Sequence, residues 1–438
     1  MQRHPREGWK SRRMGRRDFL RTSLGAAVAL PSAAAILAAC GRPDTGGGAG
    51  GATGFQVATP ENPQTIPLNA EPIADGLAPE KGATLQLYNW DQYIWKRPVQ
   101  EFCDKYNCEF EITTFDNMDE AVAKMNTGQL QIDVFFPTVD VLGKMAAADL
   151  IQPLNHSYIP NLEANAWEVY QNPFYDQEWR YTVPYTVYTT GVGYRRDVVS
   201  DDDIYGAENP RALLWDPKYS GKVGIYNSYR DAINFALLKN GITDVNTEDP
   251  KDIEIAKNDL IAMIDAVNVR TSINGAYKGL PANEYTLHEA WSGDMAATWG
   301  YVPKYTQEEY EKLGYWFPED RKGPVDNDTM AIPSGAQNPV LAHLFLNYML
   351  DTKNATDNFS WVGYQPPMTA LDPDTLTKTE GLYSKESNWA EPAMLVGPWM
   401  EAAVVRKEDF ATGYRSHELS PEVDQMWNDA WQEFKSGA

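Results

Sequence analysis

The stretch Tyr88-Asn-Trp-Asp-Gln-Tyr-Ile94 sets two aromatic faces, Trp90 and Tyr93, beside the carboxylate of Asp91. Such a set attracts a cation, through the ring quadrupole and through charge. Leu85 and Leu87 alternate with Gln86 just ahead of it, the period of a strand with one buried face. Pro98 is preset for the first turn of a helix that follows. A strand end that opens into a helix is where open α/β sheets bind ligands. A core Trp with a capping Asp has the same local sequence, so the rest of the chain decides between the two readings.

The elements that must position these residues follow in a regular rhythm. Val99, Phe102, Cys103 and Tyr106 recur at helical spacing, and Phe110 to Phe115 alternates as a strand. Asp116 or Asn117 caps a helix through Met125, which Thr127-Gly128 stops. Ile132 to Phe136 is apolar apart from Asp133, as buried parallel strands are, and Val139 to Ala147 reads as the next helix. This alternation predicts a parallel sheet with crossover helices. Tyr181–Tyr185 and Gly191–Tyr194 suit strands that pass from one domain to another. A second α/β unit has Gly221–Tyr226 as strand, Asn227-Ser228 as cap, and helices over Tyr229–Lys239 and Lys251–Val267. Met295–Trp299 and Asp328–Pro333 read as further strands, and Ala342–Leu350 as an apolar helix.

At 438 residues two domains are the default. A net charge of −23 argues against nucleic acid, which needs a basic stripe, and suits a cationic ligand. The N-terminus is the exception: eight Lys and Arg precede an apolar run from Leu24 to Ala39, too short to span a bilayer. Residues 1–40 therefore read as a signal peptide. Arg16-Arg17-Asp18-Phe19-Leu20 resembles the twin-arginine export signal. Leu37-Ala38-Ala39-Cys40 resembles a lipobox, whose Cys is lipidated and becomes the mature N-terminus. Residues 41–82, rich in Gly, Pro, Ala and Thr, read as a flexible linker. In an exported chain Cys103 and Cys108 suit a local disulfide, with two buried thiols as the alternative. The five His residues have no metal-ligand spacing, so neither metal nor cofactor is expected.

Six motifs in consistent order over roughly residues 84–370 resemble the bacterial extracellular spermidine- and putrescine-binding proteins. They are Tyr88–Ile94, Asp133-Val-Phe-Phe-Pro-Thr138, Leu214–Lys222, Tyr229-Arg-Asp231, Asp328–Pro333 and Gly363-Tyr-Gln-Pro366. The resemblance implies a type II periplasmic-binding-protein fold: two α/β lobes joined by crossing strands, 83–192 with 328–368 and 193–327 with 369–438. It implies a monomeric receptor, outside the cytoplasm, that hands its ligand to the permease of an ABC transporter and is no enzyme. Position by position it makes Trp90 and Tyr93 aromatic walls, with Asp91 beside them and Thr138 a hydroxyl donor. Asp231 supplies a carboxylate from the second lobe, Trp299 stacks on the methylene chain, Asp328 holds an ammonium and Tyr364 closes the site. Three positions depart from the pattern. Gln92 stands where an acid is usual, and Asp140 and Asp326 stand where relatives carry aromatics.

Chemistry supports a cation independently of kinship, since a polyamine needs carboxylates spaced along a slot with flat apolar walls between them. A sugar receptor would stack its ligand on some of the 14 Trp, but would want Arg, Asn and Gln where these positions are mostly Asp. A hydrolase with an acid pair among Asp91, Asp231 and Asp328 is the enzymatic alternative.

Overall fold

The computed structural model describes residues 57–170, 172–371, 373–377 and 396–437. The expected signal peptide, Cys40 and the first part of the linker lie outside them. Among the described residues nine strands form one sheet: β1 (Thr84–Trp90), β2 (Glu109–Phe115), β3 (Val134–Phe135), β4 (Thr182–Arg195), β5 (Val223–Ile225), β6 (Arg270–Thr271), β7 (Leu287–Trp291), β8 (Leu313–Trp316) and β9 (Val325–Ala331). Their order is β2-β1-β3-β9-β4-β7-β5-β6, with β8 also on β4. The principal helices are α1 (Lys96–Tyr106), α2 (Met118–Asn126), α3 (Leu142–Ala147), α4 (Tyr229–Lys239), α5 (Pro250–Val267), α6 (Ser292–Ala297), α7 (Pro339–Met349), α8 (Thr352–Val362) and α9 (Pro421–Gly437).

β1, β2 and β3 are parallel, as the βαβ rhythm requires, and β5 is parallel to β6 and β7. The strand that joins the halves is β4. Its first part, Thr182–Thr189, runs antiparallel to β9, and its last part, Thr190–Arg195, runs antiparallel to β7 and β8. Gly191 sits just past this change of partner, where a Cβ would lie 2.0 Å from the Trp316 carbonyl, so only glycine fits. Two apolar cores flank the crossing. The first gathers β1, β3, α1, α7 and the start of β4; the second gathers α4, α5, β5 and α9.

Local chemistry places the helices as expected. Asn117 caps α2 by accepting from Glu120 N, and Ser228 caps α4 by accepting from Asp231 N. Three expectations are corrected. The strand read over Met295–Trp299 is helix α6 and a following 3-10 turn, and the strand lies eight residues earlier, at β7. The sequence of β7, Leu-His-Glu-Ala-Trp, hides a strand buried up to its last residue behind His288 and Glu289, both 0% exposed. The described part of the linker, 57–82, is bound to the first lobe. Asn69 Nδ2 donates to Ile151 O at 2.9 Å, Asn155 Nδ2 to Ile73 O at 2.7 Å, and Glu80 accepts from the first amides of α7. The tail expected in the second lobe from 369 divides instead: Met400, Val404 and Val405 pack in the first core, and only Leu419 onward joins the second.

Cys103 and Cys108 are thiols, with Cys108 Sγ donating to Cys103 Sγ at 2.9 Å. They stand side by side as free thiols where a disulfide was expected, and burial pushes both thiols up.

Candidate functional site: an acidic, aromatic cleft

The cleft opens where β1, β3 and β9 of the first lobe face β7 and the start of α4 of the second. The space between its walls, open mouth included, is about 1510 Å³. Nine of the ten residues singled out above line it: Trp90, Asp91, Tyr93, Thr138, Asp140, Asp231, Asp326, Asp328 and Tyr364.

At the end of β1 the chain turns through Gln92, which has φ 60°. Tyr93 then lies inside the cleft with its hydroxyl donating to Asp328 Oδ2 at 2.6 Å and touching Thr186. Asp328 is held on β9 opposite Thr186, and Thr138 bridges to it from the end of β3. Its second oxygen, Oδ1, is buried and has no protein partner. Burial pushes its carboxyl up to about 7; the Tyr93 hydrogen bond opposes this, and Asp326, Asp140 and Asp231 add to it.

The second lobe contributes Asp231 from the first turn of α4. Burial raises its carboxyl, against hydrogen bonds from Ser228 and Trp291. Trp291 at the end of β7 donates from Nε1 to Asp231 Oδ1 at 3.0 Å and stacks on Tyr226 at 3.8 Å. Trp291 lines the cleft where Trp299 was expected. Trp299 does not line the cleft; it meets Tyr310 edge-on at 5.9 Å beside the first core. Misplacing the strand misplaced the tryptophan at its end.

The lobes meet across the floor. Trp291 N donates to Tyr226 Oη at 2.8 Å, Tyr226 donates to Asp294 Oδ2 at 2.7 Å, and Tyr364 donates to Asp294 Oδ1 at 2.7 Å. Burial pushes Asp294 up to about 7 against both tyrosines. Tyr364 is aimed by Gly363, whose φ of 82° ends α8 and whose missing Cβ would fall 2.4 Å from Ala297 N. Tyr93 and Tyr364 pack edge to face at 4.7 Å.

Asp326 is a buried acid rather than a free one: Arg415 pairs with it at 3.2 Å and Ser416 N donates at 3.2 Å. Burial still lifts it to about 6 against the guanidinium. Asp140 lines the wall from a 3-10 turn after Thr138. Sequence reasoning missed Asp294, Glu289 and Asp119, whose carboxyls burial also raises. In all, nine carboxylates line the cleft; among the described residues Arg230 is the cation in its wall, and Lys278 stands at its edge on Asp91. Such a cavity concentrates positive charge.

Comparison with known proteins agrees with this architecture. The family model for bacterial extracellular solute-binding proteins matches residues 99–384. The chain is 28% identical over 321 residues to a spermidine/putrescine-binding periplasmic protein of Haemophilus influenzae, covering 70% of this chain and 84% of that one. It is 27% identical over 309 residues to a putrescine/cadaverine-binding protein of Pseudomonas aeruginosa, covering 68% and 83%. Among solved structures, a putative spermidine/putrescine ABC transporter protein of Listeria monocytogenes superposes with a TM-score of 0.64 at 22% identity, covering 80% of this chain and 98% of that one. A lipoprotein of Treponema pallidum superposes at 0.62 and 19% identity, covering 80% and 99%. The fold is thus the expected type II periplasmic-binding-protein fold, and the crossing β4 and β9 are its hinge. A match over most of the chain, on a two-lobed fold with a ligand-sized cleft between the lobes, makes this protein a member of the bacterial extracellular solute-binding proteins, a binding protein and not an enzyme.

Proposed function

We propose that this protein captures a polyamine in the cleft between its lobes and delivers it to the permease of an ABC transporter. The observation that carries the reading is Asp328: a buried carboxylate whose Oδ1 has no protein partner, walled by Tyr93 and Tyr364 in a cleft with nine acids. An unpaired buried acceptor is unfavourable by about 1–3 kcal/mol or more, and an ammonium satisfies it. Aromatic faces beside it favour the cation and cover its methylenes. The relatives that bind spermidine and putrescine, or putrescine and cadaverine, support the same ligand class. A sugar would leave the acids without countercharge.

The export route belongs to the same proposal. Residues 1–40 direct export through the twin-arginine signal, and Cys40 is lipidated, which holds a monomeric receptor at the outer face of the membrane. Cys40→Ser should release it from the membrane fraction, and retention would refute the anchor.

A thermal-shift screen of residues 57–438 against putrescine, cadaverine, spermidine, amino acids and sugars tests the ligand class. An amine that binds only the folded state should raise the melting temperature by mass action, by several degrees at a hundredfold excess over Kd. Stabilisation by a sugar or amino acid and by none of the amines would overturn it.

A further inference from the structure

Asp91 enters the cleft from the β1 turn, yet its carboxylate is already engaged. Oδ2 receives Lys278 Nζ at 3.3 Å and Oδ1 receives Gln92 Nε2 at 3.2 Å. Lys278 belongs to the second lobe, on the π-helical turn Gly275–Gly279 that precedes β7. The pair therefore spans the cleft. Its ammonium stands 4.9 Å from the Tyr277 ring centroid and 5.9 Å from that of Tyr301. A carboxylate flanked by two aromatic faces is what a ligand ammonium would require. Here the protein's own amine has it.

We infer that Lys278 is a built-in ammonium that occupies the Asp91 end of the slot, so that the cleft accepts a diamine and rejects a triamine or longer chain. The inference rests on the polyamine reading above and sharpens it to a substrate class. Asp326 is paired with Arg415, and Asp294 is bound by Tyr226 and Tyr364. Asp116, Asp119 and Asp140 also line the cleft, Asp119 near Lys144, but the buried acid oxygens without a partner fall at two points, one for each lobe. The first is Asp328, with its unpartnered Oδ1; the second is Asp231, backed by Glu289, whose Oε1 also has no partner. Two ammonium groups satisfy them. A third that reaches the Asp91 end would have to expel Lys278, which weakens binding. Specificity of this kind comes from a repulsive element as much as from attraction.

Lys278→Met keeps the length of the stem and removes the charge. Calorimetric titrations of putrescine, cadaverine and spermidine should be run on the parent, on Lys278→Met, on Lys278→Arg and on the double variant Lys278→Met with Asp91→Asn. The parent should bind one of the diamines about tenfold or more tighter than spermidine. Lys278→Met should raise spermidine affinity by about tenfold or more, because Asp91 then accepts a charge-assisted hydrogen bond from the ligand. That gain should vanish in the double variant, and Lys278→Arg should keep the parent's preference. A parent that binds spermidine as tightly as the diamines overturns the inference. So does a diamine-to-spermidine ratio that Lys278→Met leaves unchanged in a variant melting like the parent. In both cases the polyamine reading stands, whereas a parent that binds none of the three amines removes that reading and the inference together.

Discussion

Asp328 carries two opposed demands. Its burial favours the neutral acid, and an ammonium ligand favours the anion. Its carboxyl lies at about 7 against an ordinary 3.8, so between those values the folded chain holds a proton the unfolded chain has released. The stability linked to this group is full below about 3.8 and is lost as pH rises through about 7. Ligand affinity runs the other way. The Kd for putrescine should fall by up to about tenfold per unit as pH rises from about 5 to 7 and level off above, with proton release visible in buffers of different ionisation enthalpy. A flat profile would mean that Asp328 is ionised throughout. Asp328→Asn should weaken binding by about 2–5 kcal/mol, as for a charge partner removed from a closed site. Trp291→Leu should lose less, about 0.5–2 kcal/mol, because apolar cover remains when the ring goes. Calorimetry on the two variants checks the order. The acids at motif positions were legible because they stand beside distinctive neighbours, such as Tyr229-Arg-Asp231. Glu289 and Asp294 were not, because an acid in mid-strand or at a helix start looks the same in sequence whether it faces solvent or a cleft.

Among the elements, those with a clean period were read correctly and those with buried polar groups were not. α4 runs over Tyr229–Lys239 as expected, capped by the Ser228 that its sequence advertises. β7 escaped because its His288 and Glu289 break the apolar run, while the small apolar residues of α6 imitate a strand. The C-terminal helix α9 carried no motif, yet Trp427, Trp431 and Phe434 on one of its faces complete the second core against α5. Trp427 is 0% exposed, lies under the Arg230 guanidinium at 4.7 Å and donates to Thr247 O at 3.1 Å. Trp427→Ala should therefore reduce stability by about 3–5 kcal/mol, read from denaturant unfolding. A change under about 1 kcal/mol would make α9 an accessory rather than part of the lobe.

At the scale of the whole molecule, the two lobes touch in the described arrangement through Asp91 and Lys278, Tyr364 and Asp294, and Lys144 and Asp424 at 2.9 Å. Opening of ligand-free molecules should break these polar contacts. Small-angle scattering should give a smaller radius of gyration with saturating putrescine than without it, and an unchanged radius would count against a clamp. The two-lobed form was legible from the repeated α/β rhythm; the division of the tail between lobes was not, since it depends on contacts between residues far apart in sequence. The crossing strand β4 has a further consequence for how such opening proceeds. No unpaired loop separates its two halves. Where the partner changes, Thr189 N donates to Ser292 Oγ at 3.1 Å and Thr190 N to Pro324 O at 3.0 Å. The lobes should then turn about a strand whose ladder holds on both sides of the change, apart from the irregularity between Pro184 and Thr186, twisting as a torsion bar does and not melting. In deuterated water the amides on either side, such as Val187 and Val192, should exchange only on global unfolding, as slowly in the absence of ligand as in its presence. The axis of motion would be among the most protected backbone in the protein.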